Sequence, residues 1–174
     1  MQRRWINLGL FGAVAGLAAL ALWEPGQKAS VAPLLALAPE QIVRIEVLRA
    51  EREVLRFERQ EGRWRMTAPH YGWANPVLVN RVLGVVALRC PRHYPALELD
   101  RSALHLDPPG LRLRLNDQEM AFGATAPVDG LRYLQVGATV HLCPDRLYPL
   151  LNSAAAGFLA PLLETSAAPL TEGE

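Results

Sequence analysis

The side chains that most often carry chemistry are few in this chain and form no catalytic pattern. Four histidines and two cysteines are scattered along the sequence: His70, His93, His105, His141, Cys90 and Cys143. No two histidines have the HxxxH or HxH spacing that brings two imidazoles to one metal ion. The sequence therefore predicts no metal site.

Serine and carboxylate chemistry is equally unsupported. Ser102 and Ser153 lack the glycine-flanked turn of a nucleophile elbow. The carboxylates form no pair beyond those that alternate with arginines along the predicted strands. The sequence predicts no catalytic residue and no cofactor, and we expect a protein that is not an enzyme.

A corner bounded by Pro69 and Pro76 is the best candidate for a recognition site, because His70, Tyr71 and Trp73 lie within it. Aromatic side chains in a loop serve either as anchors of an interface or as a cover on the core. In the first reading, these three residues contact a partner. In the second, Tyr71 and Trp73 plug the end of the sheet beneath the helix that follows. The sequence favours the second and leaves the first open.

The N-terminal residues bear on the compartment. Arg3 and Arg4 precede an apolar stretch, residues 6–23, which as a helix is about 27 Å long and just spans a bilayer core. The positive-inside rule puts the N-terminus in the cytoplasm and the rest of the chain in the periplasm, as a single-pass protein of the bacterial inner membrane. The alternative is a cleaved signal peptide, because residues 19–21 have a small-x-small pattern.

In an oxidising compartment the two cysteines have two interpretations. Cys90 lies just after the predicted central helix and Cys143 just after a late predicted strand, and a proline follows each cysteine. A disulfide between them closes a long loop and contributes about 4 kcal/mol by the chain-entropy estimate. The other interpretation is two small buried side chains that never meet.

The charge pattern argues against nucleic-acid binding. The formal net charge is +1, so the chain lacks the basic surplus of nucleic-acid binders. Arginines and glutamates are concentrated between Arg44 and Arg65, where they alternate with apolar residues. Opposite charges then fall beside each other on the outer face of a sheet, which predicts a solvated face rather than an anion site.

Period-two and helical patterns predict an α+β fold, with an N-terminal transmembrane helix followed by one domain of antiparallel hairpins packed against one main helix. Asn75 and Pro76 predict the start of that helix and Leu88 its end. The predicted strands lie at residues 43–47, 55–58, 63–66, 111–115, 119–122, 131–136 and 140–142. The predicted organisation is an anchor at 1–23, a linker at 24–40, the domain at 41–163 and a disordered tail at 164–174.

Several short motifs follow one another between residues 41 and 151. They are Gly62-Arg63-Trp64, Pro69, Val77 to Leu88, Leu106-Asp107-Pro108-Pro109, Gly123 and Gly130 to Tyr133. Their order resembles an uncharacterised bacterial family of membrane-anchored extracytoplasmic proteins, whose members are often encoded beside gliding-motility-type ABC transporter components. The resemblance supplies no catalytic residues. Longer members look like several such units in series, whereas this chain has one, which puts a role as an extended array in doubt.

Together these observations predict a non-enzymatic, inner-membrane-anchored periplasmic accessory or scaffold protein of an envelope or transporter-linked complex. We expect contact with the membrane through the N-terminal helix, a protein partner in the envelope, and no nucleic acid. The oligomeric state stays open. The alternative is a small-molecule or glycan binding module whose site lies between the corner and the loop at residues 123–130.

Overall fold

A computed structural model of the chain describes Val14 and residues 32–161. The folded unit begins at Pro33. Its strands are β1 (Arg44–Arg49), β2 (Leu55–Gln60), β3 (Arg63–Ala68), β4 (Gly72–Trp73), β5 (Arg92–Pro95), β6 (Leu111–Leu115), β7 (Gln118–Thr125), β8 (Leu131–Val136) and β9 (Thr139–Pro144). Its α-helices are α1 (Pro76–Leu83) and α2 (Tyr148–Leu151), and 3-10 turns occupy Pro39–Gln41, Gly84–Ala87, Ala96–Glu98 and Ala155–Phe158.

The described strands form one nine-stranded sheet in the order β4-β3-β2-β1-β6-β7-β8-β9-β5, and every neighbouring pair is antiparallel. Two meanders, β1 to β4 and β6 to β9, meet where β1 pairs with β6. Ile45 lies opposite Leu115 at that junction, and Val47 lies opposite Leu113. This central pairing joins strands far apart in sequence.

The core lies on one face of this sheet. Alternation along β1, β2, β3 and β6 points every second side chain to that face, where Phe57, Met66 and Leu113 are almost fully buried. α1 and the segment after β9 cover it, and the rings of Phe57 and Phe158 lie 5.5 Å apart. The predicted alternation therefore locates the core-facing residues of these strands.

The opposite face of the central strands is charged. Glu46 on β1 pairs with Arg56 of β2 at 3.3 Å and with Arg114 of β6 at 3.5 Å. Arg114 also pairs with Glu119 of β7 at 2.7 Å. Arg56 and Arg114 therefore each have an anion on a neighbouring strand, as expected of the solvated face predicted from the alternation.

Residues 96–109 cover part of that same face at the other end of the sheet. Ala96, Leu106 and Val140 form a second, smaller buried cluster there. Gly123 of β7 allows this segment to approach, because the amide of Ala124 donates to the carbonyl oxygen of Leu104 at 2.8 Å. A Cβ atom on Gly123 would lie only 2.4 Å from that oxygen.

The helix α1 begins as the sequence predicts and ends earlier. The side chain of Asn75 accepts a hydrogen bond from the amide of Val77, and Pro76 occupies the first turn. After Leu83 the chain changes at Gly84 to a 3-10 turn that ends at Ala87. The predicted helix to Leu88 is thus an α-helix of eight residues and a separate short turn.

The predicted fold class is wrong. In place of an α+β domain with one main helix and an N-terminal transmembrane helix, the described residues form mostly antiparallel sheet with a short α1. The apolar run at 82–88 misled the prediction, because it continues in a tighter turn rather than in the α-helix. No helix among the described residues has the length and apolar character to cross a bilayer. Apart from Val14, residues 6–23 lie outside the described part.

The chain joins the folded unit earlier than the predicted boundary at residue 41. The amide of Leu34 donates to the carbonyl oxygen of Leu88 at 2.8 Å, and Pro33 forms an isolated bridge with Arg89. Leu35 is buried in the main core. Residues 33–35 therefore belong to the domain. The predicted tail at 164–174 lies outside the described residues.

Candidate functional site

The corner after β3 forms the edge strand β4. Trp73 pairs with Arg65, and Gly72 pairs with Met66. The other edge of β4 is also bonded, since the amide of Ala160 donates to the carbonyl oxygen of Trp73 at 2.8 Å. The backbone of the corner is therefore held on both sides, which fixes the direction of its side chains.

Trp73 lies on the face of the sheet opposite to the core. Its partner in the register is Arg65, which alternates with the buried residues Trp64 and Met66. The guanidinium carbons of Arg63 and Arg65 lie 4.0 and 4.2 Å from the centroid of the Trp73 ring. Both distances are well within the range of a cation–π interaction.

Tyr71 extends this arrangement into solvent. The guanidinium carbon of Arg65 lies 5.0 Å from the centroid of the Tyr71 ring, and Nη1 of Arg65 donates to the tyrosine hydroxyl at 2.6 Å. Tyr71 is nevertheless 71% exposed. We call Arg63, Arg65, Tyr71 and Trp73 together the cation–aromatic surface.

The two arginines of this surface keep their charge available. Among the described residues no carboxylate lies within 4.0 Å of Arg63 or Arg65, in contrast to Arg56 of β2 and Arg114 of β6. The aromatic rings hold both guanidinium groups in place, so less side-chain entropy is lost when they bind a ligand. Such a surface suits a partner that presents carboxylates beside apolar groups.

His70 is exposed and does not join the cation–aromatic surface through any described hydrogen bond or stacking contact. It lines a separate shallow cavity with Arg49 and Ser153. Nη1 of Arg49 donates to the carbonyl oxygen of Ser153 at 2.7 Å, and its Nε donates to that of Glu53 at 3.1 Å. The buried arginine therefore links the β1–β2 turn to the segment after α2 and stabilises the fold there.

Cys90 and Cys143 are joined by a disulfide, with their Cα atoms 4.4 Å apart. The structure thus has the first of the two arrangements that the sequence leaves open. The bond links the chain after the 3-10 turn at Gly84–Ala87 to β9, across 53 residues of sequence. It holds the segment before β5 against the far end of the sheet.

The structure brings two of the histidines together. His93 and His141 are neighbours across β5 and β9, with ring centroids 6.0 Å apart. Burial lowers the pKa of His141, and the nearby charge of His93 lowers it further. Within the described residues no group of three or more His, Cys, Asp or Glu side chains is placed to hold a metal ion.

Arg132 has a role that sequence patterns do not reveal. Its Nη2 donates to Asp145 at 2.8 Å, its Nη1 donates to the carbonyl oxygen of Gly123, and its guanidinium carbon lies 3.7 Å from the centroid of the Tyr148 ring. Both members of the ion pair are largely buried, with side chains 11% and 19% exposed. Only the cross-strand register, which places Arg132 opposite Cys143, brings these groups together.

The loop at residues 123–130 lies far from the corner in the order of strands. It connects β7 to β8, and four strands separate β7 from β4 in the sheet. Two cavities lie beside the corner, one lined by Trp64 and Ala74 and the other by His70, and neither is lined by a described residue of this loop. The predicted ligand site between the corner and this loop therefore has no support from either cavity.

The cation–aromatic surface could be found only in part from sequence. The alternation of Arg63 and Arg65 with Trp64 and Met66 predicts a cationic face on β3, but the pairing of β3 with β4 is needed to place Trp73 on it. No family model, no curated protein and no solved structure matches this chain. The site is therefore defined by its own geometry.

Proposed function

We propose that this protein is a non-enzymatic accessory or scaffold protein of a bacterial envelope complex and that its cation–aromatic surface binds a protein partner. The observation that carries the proposal is the arrangement of Tyr71 and Trp73 around Arg65, outside the core and in contact with solvent. Tryptophan, tyrosine and arginine are the residues most enriched among those that dominate binding energy at protein interfaces.

The chemistry of the surface favours an acidic partner segment. Arg63 and Arg65 have no carboxylate partner within the described part of the chain, so a carboxylate of another protein can pair with either guanidinium. Tyr71 and Trp73 add apolar area beside the charges. An exposed acidic segment that carries a large apolar side chain is the expected partner.

The disulfide supports an extracytoplasmic location, because such bonds persist in oxidising compartments. Location at the inner membrane stays a prediction from residues 6–23. A link to a transporter follows from the family resemblance of residues 41–151. In this proposal the partner is an envelope protein, and a component of an ABC transporter is the first to test.

The test is co-purification of the full-length protein from envelopes solubilised in mild detergent after crosslinking. The double variant Tyr71→Ala with Arg65→Gln is expected to reduce the amount of partner recovered at least about tenfold. Each of the two side chains is expected to contribute about 1 kcal/mol or more to the binding free energy, and about 1.4 kcal/mol corresponds to a tenfold change in affinity. Tyr94→Ala with Arg112→Gln is the matched control, because it removes one partly exposed tyrosine and one exposed arginine elsewhere on the sheet.

Two results contradict the proposal. One is equal recovery of the partner by both double variants, which excludes the cation–aromatic surface as the interface. The other is recovery of the protein only as a free monomer, together with a thermal shift induced by a soluble envelope glycan. That second result supports the alternative ligand module instead.

A further inference from the structure

A second cavity lies between the end of α1 and the segment that follows β9, away from the cation–aromatic surface. Its volume is about 440 Å³. Pockets that bind small molecules have volumes of about 300–1,000 Å³, so the cavity can accept a short-chain ligand. Its walls come from residues 81–88 on one side and 146–150 on the other.

The interior of this cavity is apolar. Val85 and Leu147 are buried, and Leu88 and Leu150 are half-buried at its surface. None of these side chains can donate or accept a hydrogen bond. An alkyl chain is the chemical group that these four residues suit best.

Two cations complete the lining. Arg81 lies in the last turn of α1, and Arg146 follows Asp145 at the start of the other wall. Both are exposed, and neither has a carboxylate within 4.0 Å in the described part of the chain. Two unpaired guanidinium groups beside an apolar cavity are complementary to an anionic head on an apolar tail.

The disulfide holds the two walls together. Cys90 follows Leu88 by two residues, and Cys143 precedes Arg146 by three, so the bond ties one wall to the other. The first wall is also fixed by the hydrogen bond from the amide of Leu34 to the carbonyl oxygen of Leu88. The cavity is therefore formed before a ligand binds, which reduces the entropic cost of binding.

We propose that this cavity binds a single-chain amphiphile with a carboxylate head, of the medium-chain fatty acid class. The carboxylate lies between Arg81 and Arg146, and the alkyl tail packs against Val85, Leu88 and Leu150. This site is independent of the protein interface proposed above, because the two share no residue. Its test does not depend on the identity of that partner.

Sodium octanoate is the probe, and binding is followed by amide NMR shifts of the full-length protein at pH 7, where the acid is ionised. The largest shifts are expected at the amides of Val85, Leu88, Leu147 and Leu150. Two matched compounds separate head from tail: 1-octanol has the tail without the charge, and acetate has the charge without the tail. Both are expected to bind at least about tenfold more weakly, since each lacks one of the two complementary contacts.

The variant Arg81→Gln with Arg146→Gln is expected to weaken octanoate binding at least about tenfold and to leave octanol binding unchanged. Both residues are exposed, so the fold is retained. Arg89→Gln is the control, because Arg89 is an exposed arginine next to Leu88 that does not line the cavity. Equal binding of octanol and octanoate, or octanoate shifts confined to residues outside the two walls, overturns the proposal.

Discussion

Trp73 and Arg65 lie opposite each other on β4 and β3, and the guanidinium carbon of Arg65 is 4.2 Å from the centroid of the Trp73 ring. This contact is on the side of the sheet away from Trp64 and Met66. The contact explains why a tryptophan lies on a charged face of the sheet: Arg63 and Arg65 cover its ring, and the core does not.

The first prediction concerns the stability that Trp73 provides. Trp73→Ala removes the cation–π contacts to Arg63 and Arg65, and we expect the free energy of unfolding to fall by about 1–2 kcal/mol. Phe57→Ala, in the main core, is expected to cost about 3–5 kcal/mol. Urea unfolding of both variants measures the difference. An equal loss for the two substitutions means that Trp73 covers the core after all.

The second prediction concerns the ion pair between Arg132 and Asp145. Asp145→Asn leaves the largely buried guanidinium without its anion, and we expect a loss of roughly 3 kcal/mol in the free energy of unfolding. Glu119→Gln on the solvated face is the control, with an expected loss below about 1 kcal/mol per ion pair removed. Chemical denaturation at low and high salt distinguishes them.

Salt provides the check on this second comparison. The effect of Glu119→Gln should decrease as salt screens the exposed pairs, whereas that of Asp145→Asn should change little because the pair is shielded from solvent. If the two variants lose the same stability and respond alike to salt, the burial of the Arg132–Asp145 pair has no energetic consequence.

The third prediction concerns pH. Burial, with a smaller contribution from His93, lowers the pKa of His141 in the folded protein below the ordinary value of 6.5. The unfolded chain therefore binds more protons near pH 6, and stability falls as the pH decreases through 6.5 until the lowered pKa is passed. His141→Gln should reduce this slope.

Thermal unfolding between pH 5 and 8, roughly the range in which histidines titrate, measures the effect. His93→Gln is expected to reduce the slope less than His141→Gln, because burial is the larger cause. His70→Gln is the control, since His70 is exposed. A slope that is identical in the wild type and in His141→Gln contradicts the assignment.

The fourth prediction concerns the close approach at Gly123. A Cβ atom there would lie 2.4 Å from the carbonyl oxygen of Leu104 and 2.9 Å from Cγ of Leu106. Gly123→Ala must push the 96–109 segment away from β7, and we expect a loss of about 1–3 kcal/mol. Gly84→Ala is the matched control, because nothing lies within 4 Å of its Cβ position. Equal unfolding midpoints for the two variants would show that the segment moves freely.

Sequence patterns predict the strands of this fold better than its class. Leu111, Leu113 and Leu115 alternate with arginines and occupy a buried strand face, and Asn75 caps α1 in the predicted way. These features depend on neighbours in sequence. The apolar run that ends at Leu88 predicts one main helix and therefore an α+β class. Periodicity alone does not distinguish a long helix from a short helix followed by a tight turn.

Features that depend on distant pairing were missed. Residues 92–95 contain a proline and have no clear alternation, yet they form β5 because β9 offers an unpaired edge. The position of Trp73 depends on the register between β3 and β4 in the same way. The cavity between Arg81 and Arg146 cannot be found from the sequence, because its two arginines are 65 positions apart.

The backbone hydrogen bonds between residues 73–75 and residues 158–160 have a consequence for the synthesis of the chain. The amide of Asn75 donates to the carbonyl oxygen of Phe158 at 2.7 Å, and Ala160 bonds to Trp73. A nascent chain can pair β1 to β4 as soon as they emerge, but it leaves the β4 edge open to other strands until Ala160 has been synthesised. During translation or export, this exposed edge is where we expect a chaperone to be needed.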